Sequence, residues 1–575
     1  MRAVSMRLMT RTRWFLVTTV LVLLILSSWL WWVGPRPVDM ATYAPADSLL
    51  FLESNNPAKV VETLTRTEAW KLVDTLTGKQ SRADSSGWVK KFVKWTGIGP
   101  TNSVIFTRAQ LAVVVTNLGV EQAEETLTVK PEGALLVDTH TSASRTKPEV
   151  ERALKKFAET AYGQPTQKLT TIDGFEFIEW LAPGGNRKVV ATIYGTLVIV
   201  ANSEAAVQKV LAVALGRQPS LKGDEELHRL RADVQAEHGL VFGYVPAANS
   251  ARLLSVAVPM LLGRAPGNSE LEKLISSSSA KIVASLGWSS VPVMNGVEDR
   301  YRINLQPAIV AKLKEGFSCQ PPDPTSQPML PDNFSSLTYY KFQNPAVAWQ
   351  GLRTSVSSQV DALSAILFSS LLRSALNSYG IRDPEKFLSL VGSPVLTLRM
   401  EPESPMLIAE MRDQIAMREL LTNGLGFHLI DPKPNGEAFK NPEDEFAARF
   451  VSGFVVIGSE PEVDRYAEKE ASPFSKRSEI PQGLLPLSNP ACVLTITNDT
   501  ERVRAFVSTV ATAMGDSTGW SVQSEDLLRS LPYSTTETTL EERGIERITR
   551  SPLGQFSTLL PLVFPTRAGN QDSGR

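Results

Sequence analysis

The side chains able to do chemistry are few and far apart. Ser144 and Lys147 fit the S-x-x-K spacing, in which a lysine one helical turn from a serine can act as its base. The same serine leads into an apolar-periodic helix pattern over 147–162, where N-capping is the better explanation. Cys319 lies in a proline-rich segment and Cys492 in a strand pattern. A disulfide between them and a pair of free thiols both stay open. His140, His228, His238 and His428 stand alone, with no HExxH and no histidine pair at helical spacing, so no metal ligand set is expected. Phosphate-cradling glycine motifs and calcium loops are also missing from the sequence. Paired carboxylates occur at Glu124–Glu125, Asp224–Glu225–Glu226 and Glu541–Glu542, in polar settings that a solvated face explains. No catalytic, cofactor-binding or metal-binding residue follows from these patterns, and no cofactor is expected.

The elements that would position such groups begin with a membrane anchor. Residues 1–13 carry Arg2, Arg7, Arg11 and Arg13 and no acid, and read as a cytoplasmic basic tail. Trp14 to Val33 then run without a charge. Twenty helical residues rise about 30 Å, the thickness of a bilayer core. Trp29, Trp31 and Trp32 crowd the exit, where indole rings favour the membrane–water interface, as Trp14 does at the start. The arginine flank, with Arg11 and Arg13 nearest the span, predicts the N-terminus inside and the body in the periplasm or outside. A cleaved signal peptide competes, but the apolar run is long and the SSWLWWVGPRP exit lacks an A-x-A site.

The chain's net charge of −1 conceals this split. Without residues 1–37, which hold five arginines and no acid, 54 basic residues face 60 acidic ones. A mildly acidic body excludes a nucleic-acid partner and shows no affinity for anionic lipid beyond the anchor itself. Two cysteines exclude a disulfide-dense scaffold.

The rest reads as one unit used twice. LLFLESNNPAKVVETL at 49–64 and LTYYKFQNPAVAWQGL at 337–352 share the order strand, Asn, Pro, helix. IYGTLVIVANSEAAV (193–207) and VSGFVVIGSEPEV (451–463) share a glycine turn, a strand and a capped helix start, with Ser203 and Ser459 as caps. HGLVFGYVP (238–246) matches ACVLTITND (491–499), and GVEDRYRINL (296–305) matches GIERITRSPL (544–553) more weakly. The Pro-rich segment 315–331 separates the copies. The expected domains are therefore 39–314 and 332–566, with a disordered tail at 567–575. Neighbouring strand patterns joined by short turns predict two tandem, internally duplicated α+β domains with mainly antiparallel sheets. An apolar stripe over 355–378 predicts the longest helix, with core packing preferred to a lipid- or partner-binding groove.

The segment YAPADSLLFLESNNPAKVVETL resembles the start of bacterial membrane-anchored extracytoplasmic proteins of unknown function, through Pro45–Asp47 and the Asn202–Val207 cap. Those positions are turns and caps. The resemblance implies a single-pass protein of the bacterial cytoplasmic membrane, and it carries no catalytic residues to transfer. The expected role is a binding or scaffold module holding an envelope protein or an apolar ligand. The competing class is an envelope hydrolase or transferase whose site is assembled from dispersed residues.

Overall fold

The structure is a computed structural model that describes residues 37–76, 108–247, 249, 281–319, 329–330, 334–360, 375–400, 404–468, 472–473, 491–513 and 520–558, with short gaps at 124–125, 186, 295, 434–435 and 443–444, and isolated positions between 365 and 373. The expected anchor, Glu124, Glu125, the tail and part of the 355–378 stripe, including Leu363, Leu367 and Leu371, lie outside the described residues. Among the described residues no helix is long and apolar enough to cross a membrane.

From Met40 onward the chain forms one compact α+β unit built on a twenty-stranded antiparallel sheet. The first half supplies β1 (Leu50–Ser54), β2 (Gln110–Ala123), β3 (Thr126–Asp138), β4 (Thr166–Ile172), β5 (Phe175–Leu181), β6 (Lys188–Tyr194), β7 (Leu197–Ala201), β8 (Val241–Val245), β9 (Val283–Val293) and β10 (Gly296–Leu305). The second half supplies β11 (Ser336–Tyr340), β12 (Val391–Arg399), β13 (Pro405–Met411), β14 (His428–Lys433), β15 (Gly436–Lys440), β16 (Phe446–Val451), β17 (Phe454–Ser459), β18 (Val493–Thr497), β19 (Ser534–Glu541) and β20 (Gly544–Ser551).

The pairings give the order β4-β5-β6-β7-β3-β2-β1-β8-β9-β10 in the first half. In the second they give β14-β15-β16-β17-β13-β12-β11-β18-β19-β20. The register agrees as well as the order. One row of directly opposed residues runs Leu169, Ile178, Ala191, Val200, Leu135, Val113, Leu52, Gly243, Trp288, Tyr301. Its counterpart runs Leu429, Phe439, Ala448, Ile457, Leu407, Thr397, Thr338, Thr495, Thr536, Thr549.

Two separate sheets were the expectation; instead the last strands of the halves pair with each other. In β10–β20 Val297 faces Ser551, Arg300 faces Ile548 and Asn304 faces Gly544. The physical reason is that each half would otherwise end in a long strand with an unpaired row of N–H and C=O groups. Pairing them covers both edges at once.

Local chemistry explains the helices. α1 (Pro57–Thr65) and α2 (Glu68–Leu76) follow β1, and α3 (Ala143–Tyr162) follows β3. α4 (Glu204–Ala214) and α5 (Glu225–Asp233) follow β7, and α6 (Pro307–Gly316) follows β10. In the second half α7 (Pro345–Ser357) and α8 (Pro384–Ser389) follow β11, α9 (Gln414–Glu419) follows β13, and α10 (Glu460–Glu468) follows β17. α11 (Thr500–Ala513) and α12 (Val522–Arg529) follow β18. Asn56 and Asn344 cap α1 and α7 through hydrogen bonds from the Lys59 and Val347 amides, with proline in the first turn of each. Ser203 caps α4 in the same way. Gly195 and Gly453 turn the β6–β7 and β16–β17 hairpins at φ of 61° and 87°. One cap differs from expectation: α3 starts at Ala143 with Ser142 before it, so Ser144 sits inside the first turn.

The cores tie the halves together. α4 and α5 bury Val207, Val210, Leu227 and Leu230 against Phe51, Phe242 and Tyr244 on one face. α10 does the same on that face of the second half, with Val463 and Tyr466 against Leu337 and Tyr339. Each such large side chain contributes on the order of 1.5–3 kcal/mol on burial. A further core is shared: Leu72 and Val73 of α2 meet Phe506 and Val507 of α11 and Leu528 of α12. α6 and α7 also cross between halves, where a Cβ on Gly316 would stand 3.4 Å from the Gly351 Cα. Cys319 and Cys492 are joined in a disulfide spanning 173 residues, with Cα atoms 5.3 Å apart.

Candidate functional site

Among the described residues a dense set of titratable groups lies where the halves join, and α5 starts it. Asp224 caps this helix by accepting the Glu226 amide at 2.9 Å, and its other oxygen accepts the Tyr244 hydroxyl at 2.7 Å. The capping turn aims Glu226 at the sheet. There it accepts Ser285 Oγ at 2.7 Å, Asn304 Nδ2 at 2.6 Å and Arg543 Nη2 at 2.9 Å. Arg229 Nη1 adds a bond at 2.9 Å. Burial pushes the Glu226 carboxyl up, but the bonds from Ser285, Asn304 and Arg543 outweigh it and hold the group below its ordinary range. Arg543 comes from the β19–β20 turn, so one carboxylate of the first half is neutralised by the second.

A parallel network lies on the seam strands. Glu298 is 5% exposed and accepts Arg300 Nε and Arg550 Nε, each at 2.7 Å. Arg550 reaches on to Glu537 at 2.6 Å. Strand alternation turns Asp299 to the other face, where it accepts Ser290 Oγ at 2.5 Å. Burial pushes Asp299 up to about 6, against the Ser290 bond and a backbone bond from Gln555. Burial lowers Lys341, at the end of β11, to about 8, with Glu537 opposing.

The asymmetric feature is a cluster at the end of β3. Asp138 is 1% exposed, accepts the Tyr43 hydroxyl at 3.3 Å and stands 3.5 Å from His140 Nδ1. Burial, and then the Asp138 charge, push Tyr43 up to about 12. Asp138 also accepts the His140 amide at 2.9 Å, which supports that residue at φ of 50°. A carboxylate and an imidazole are two of the three members of a hydrolytic triad. The surrounding hydroxyls, Thr139 and Thr146, bond each other at 3.3 Å and backbone carbonyls, so they complete no nucleophile relay with His140.

No family model, no curated protein and no solved structure matches the chain. The site is therefore read from its own residues. Lys147 is ion-paired to Glu176 at 3.0 Å, so the S-x-x-K pair forms no serine–lysine dyad. His228 bonds the Lys222 carbonyl at 2.7 Å, His238 lies 3.5 Å from Glu237, and His428 is exposed on β14. Among the described residues no group of three His, Cys, Asp or Glu side chains could hold a metal ion.

A shallow concavity beside the β4–β5 turn is lined by Asp173, Phe177, Lys209 and Arg217, and its charges pair as Lys209–Asp47 at 2.6 Å and Arg217–Asp173 at 2.9 Å. The solvated face expected for Asp224 and Glu226 is the point where sequence reasoning failed. Their partners come from positions 244, 285, 304 and 543, which no local pattern links. The seam pair had a legible signal: GVEDRYR and GIERITR both place a Glu four residues before an Arg, and antiparallel self-pairing sets Glu298 opposite Arg550 and Arg302 opposite Glu546.

Loss of the Glu226 carboxylate should loosen this junction. Glu226→Gln is expected to cost about 1–3 kcal/mol, because Arg543 loses the nearer of its two carboxylate partners, Glu226 at 2.9 Å against Asp233 at 3.6 Å, in a half-buried site. Urea unfolding of both proteins measures it. Since the folded pKa is lowered, the stabilisation is full above the ordinary carboxylate range and is lost as pH falls through it. The gap between wild type and variant should therefore close in acid; a constant gap would assign the effect to packing.

Proposed function

We propose that this protein is a single-pass component of the bacterial cytoplasmic membrane, held by residues 14–33 with Arg11 and Arg13 inside and its body in the periplasm or outside. We further propose that the body, 39–314 and 332–566, is an internally duplicated, non-enzymatic binding or scaffold module for an envelope protein. The observation that carries the location is the Cys319–Cys492 disulfide, since such bonds persist in oxidising compartments outside the cytoplasm. The matching strand order and register of the halves support duplication. Their titratable groups support a structural use: Glu226, Glu298 and Glu537 all bond arginines at the junction.

Deleting residues 1–37 tests the placement. The full chain is expected in the membrane fraction after a carbonate wash, and the truncated chain in the soluble fraction with the disulfide intact when exported. A truncated chain that stays with the membrane would overturn the single anchor. Cys319 and Cys492 that react with thiol reagents in freshly isolated full-length protein would overturn the oxidising location.

A further inference from the structure

The two ends of the sheet are unequal. β4 forms one end, and among the described residues no strand lies on its outer side. Its first four residues are exposed, and Leu169 is 60% exposed. Leu169 stands opposite Ile178, which is buried with Leu154 and Ala158 of α3, and Phe157 of that helix is 51% exposed. At the far end β14 holds the equivalent position with Leu429, 55% exposed. That strand contains Pro432, which lacks an N–H, and its pairing is irregular between Ile430 and Lys433. A proline and a break in register are how an edge is blunted against further pairing.

We infer that β4 is an isologous interface: two copies of this chain pair antiparallel through β4, with Leu169 opposite Leu169 on the two-fold axis. The sequence TQKLTTI fits this register. Lys168, the only charge in the strand, then faces Thr170, Gln167 faces Thr171 and Thr166 faces Ile172. Shifting the centre to Lys168 would set two lysines opposite each other, which is destabilising. The molecule already uses this arrangement internally. In β10–β20 the residue four places after Gly296 faces the residue four places after Gly544, the pairing of two like strands about a local two-fold. One open edge and one blunted edge give a closed dimer and not a fibre. The inference rests on strand register and does not depend on the membrane placement.

Full-length protein in detergent micelles provides the test, because both native cysteines are in the disulfide and an introduced thiol is the only free one. Leu169→Cys is expected to give a disulfide-linked dimer under mild oxidation, and Leu429→Cys to stay monomeric. By light scattering the wild type should be dimeric at micromolar concentration. Leu169→Asp should raise the dissociation constant at least tenfold with an unchanged thermal midpoint. Equal cross-linking of both cysteine variants would mean random collision and overturn the interface. A monomeric wild type would overturn it too, and slow maleimide labelling of Leu169→Cys in that monomer would assign the edge to residues of the same chain.

Discussion

Gly544→Val will break the junction of the two halves and cost about 3–5 kcal/mol. Gly544 opens β20 at φ of 146°, a conformation that side-chain-bearing residues rarely adopt. A Cβ at this position would overlap the Ile303 carbonyl oxygen and stand 2.9 Å from the Leu305 nitrogen. Both atoms are backbone, so no side chain can rotate aside. Backbone strain adds about 1–3 kcal/mol, and overpacking about 1–3 kcal/mol more. The Leu305 amide bonds the Arg543 carbonyl at 2.9 Å, and Arg543 holds Glu226, so displacement here propagates into the charged network. Two controls separate these causes. Gly453→Ala meets no atom within 4 Å at φ of 87°, and should cost only about 1 kcal/mol of conformational strain. Gly296→Ala would place its Cβ 2.5 Å from the Ser551 carbonyl oxygen across the same seam, and should fall between the two. Urea unfolding followed by tryptophan fluorescence reads all three. For Gly544→Val the single transition is also expected to broaden or split, because the halves lose their shared strand pair. A Gly544→Val protein with wild-type stability and one sharp transition would show that β10–β20 pairing does not join the halves.

What could be read from the sequence was local. Asn56, Asn344, Ser203, Gly195 and Gly453 act on backbone atoms within a few residues, so their spacing marks caps and turns directly. Those signals located ends of β1 and β11, the two hairpins and their following helices. Pairing over long separations has no such signature. β10 and β20 alternate like any other half-buried strand, and the Glu-x-x-x-Arg spacing they share shows that they can pair without showing that they do. The edge-sharing that turned two expected sheets into one therefore came from topology. Glu226 was misread for the same reason. Next to Asp224 and Glu225 it looks like a charged helix start, and only the fold brings Ser285, Asn304 and Arg543 to it. The carboxylates at the junction are thus explained by the pairing they stabilise, and the pairing by the edges it covers.

The covalent tie should matter nearly as much as the strand pair. Replacing both Cys319 and Cys492 with serine is expected to cost about 2–4 kcal/mol, with a chain-entropy ceiling of about 5 kcal/mol for a loop this long. The bond is placed to join halves. Cys319 follows α6, which belongs to the first half, and forms an isolated bridge to Phe342 just after β11. The Cys492 carbonyl accepts the Lys341 amide at 2.9 Å, beside the start of β18. The disulfide thus fixes the end of the first half to two neighbouring strands of the second, β11 and β18. Thermal and urea unfolding of the double serine variant, and of wild type under increasing dithiothreitol, measure the contribution. The two should converge on the same midpoint, and a shift below about 0.5 kcal/mol would mean that native contacts alone hold the segment. Combining the serine changes with Gly544→Val tests whether both ties act on the same equilibrium. If each restrains the separation of the halves, the double-mutant cycle should give a coupling of at least about 1 kcal/mol. Strict additivity would place them in independent parts of the molecule, with the disulfide stabilising the second half by itself.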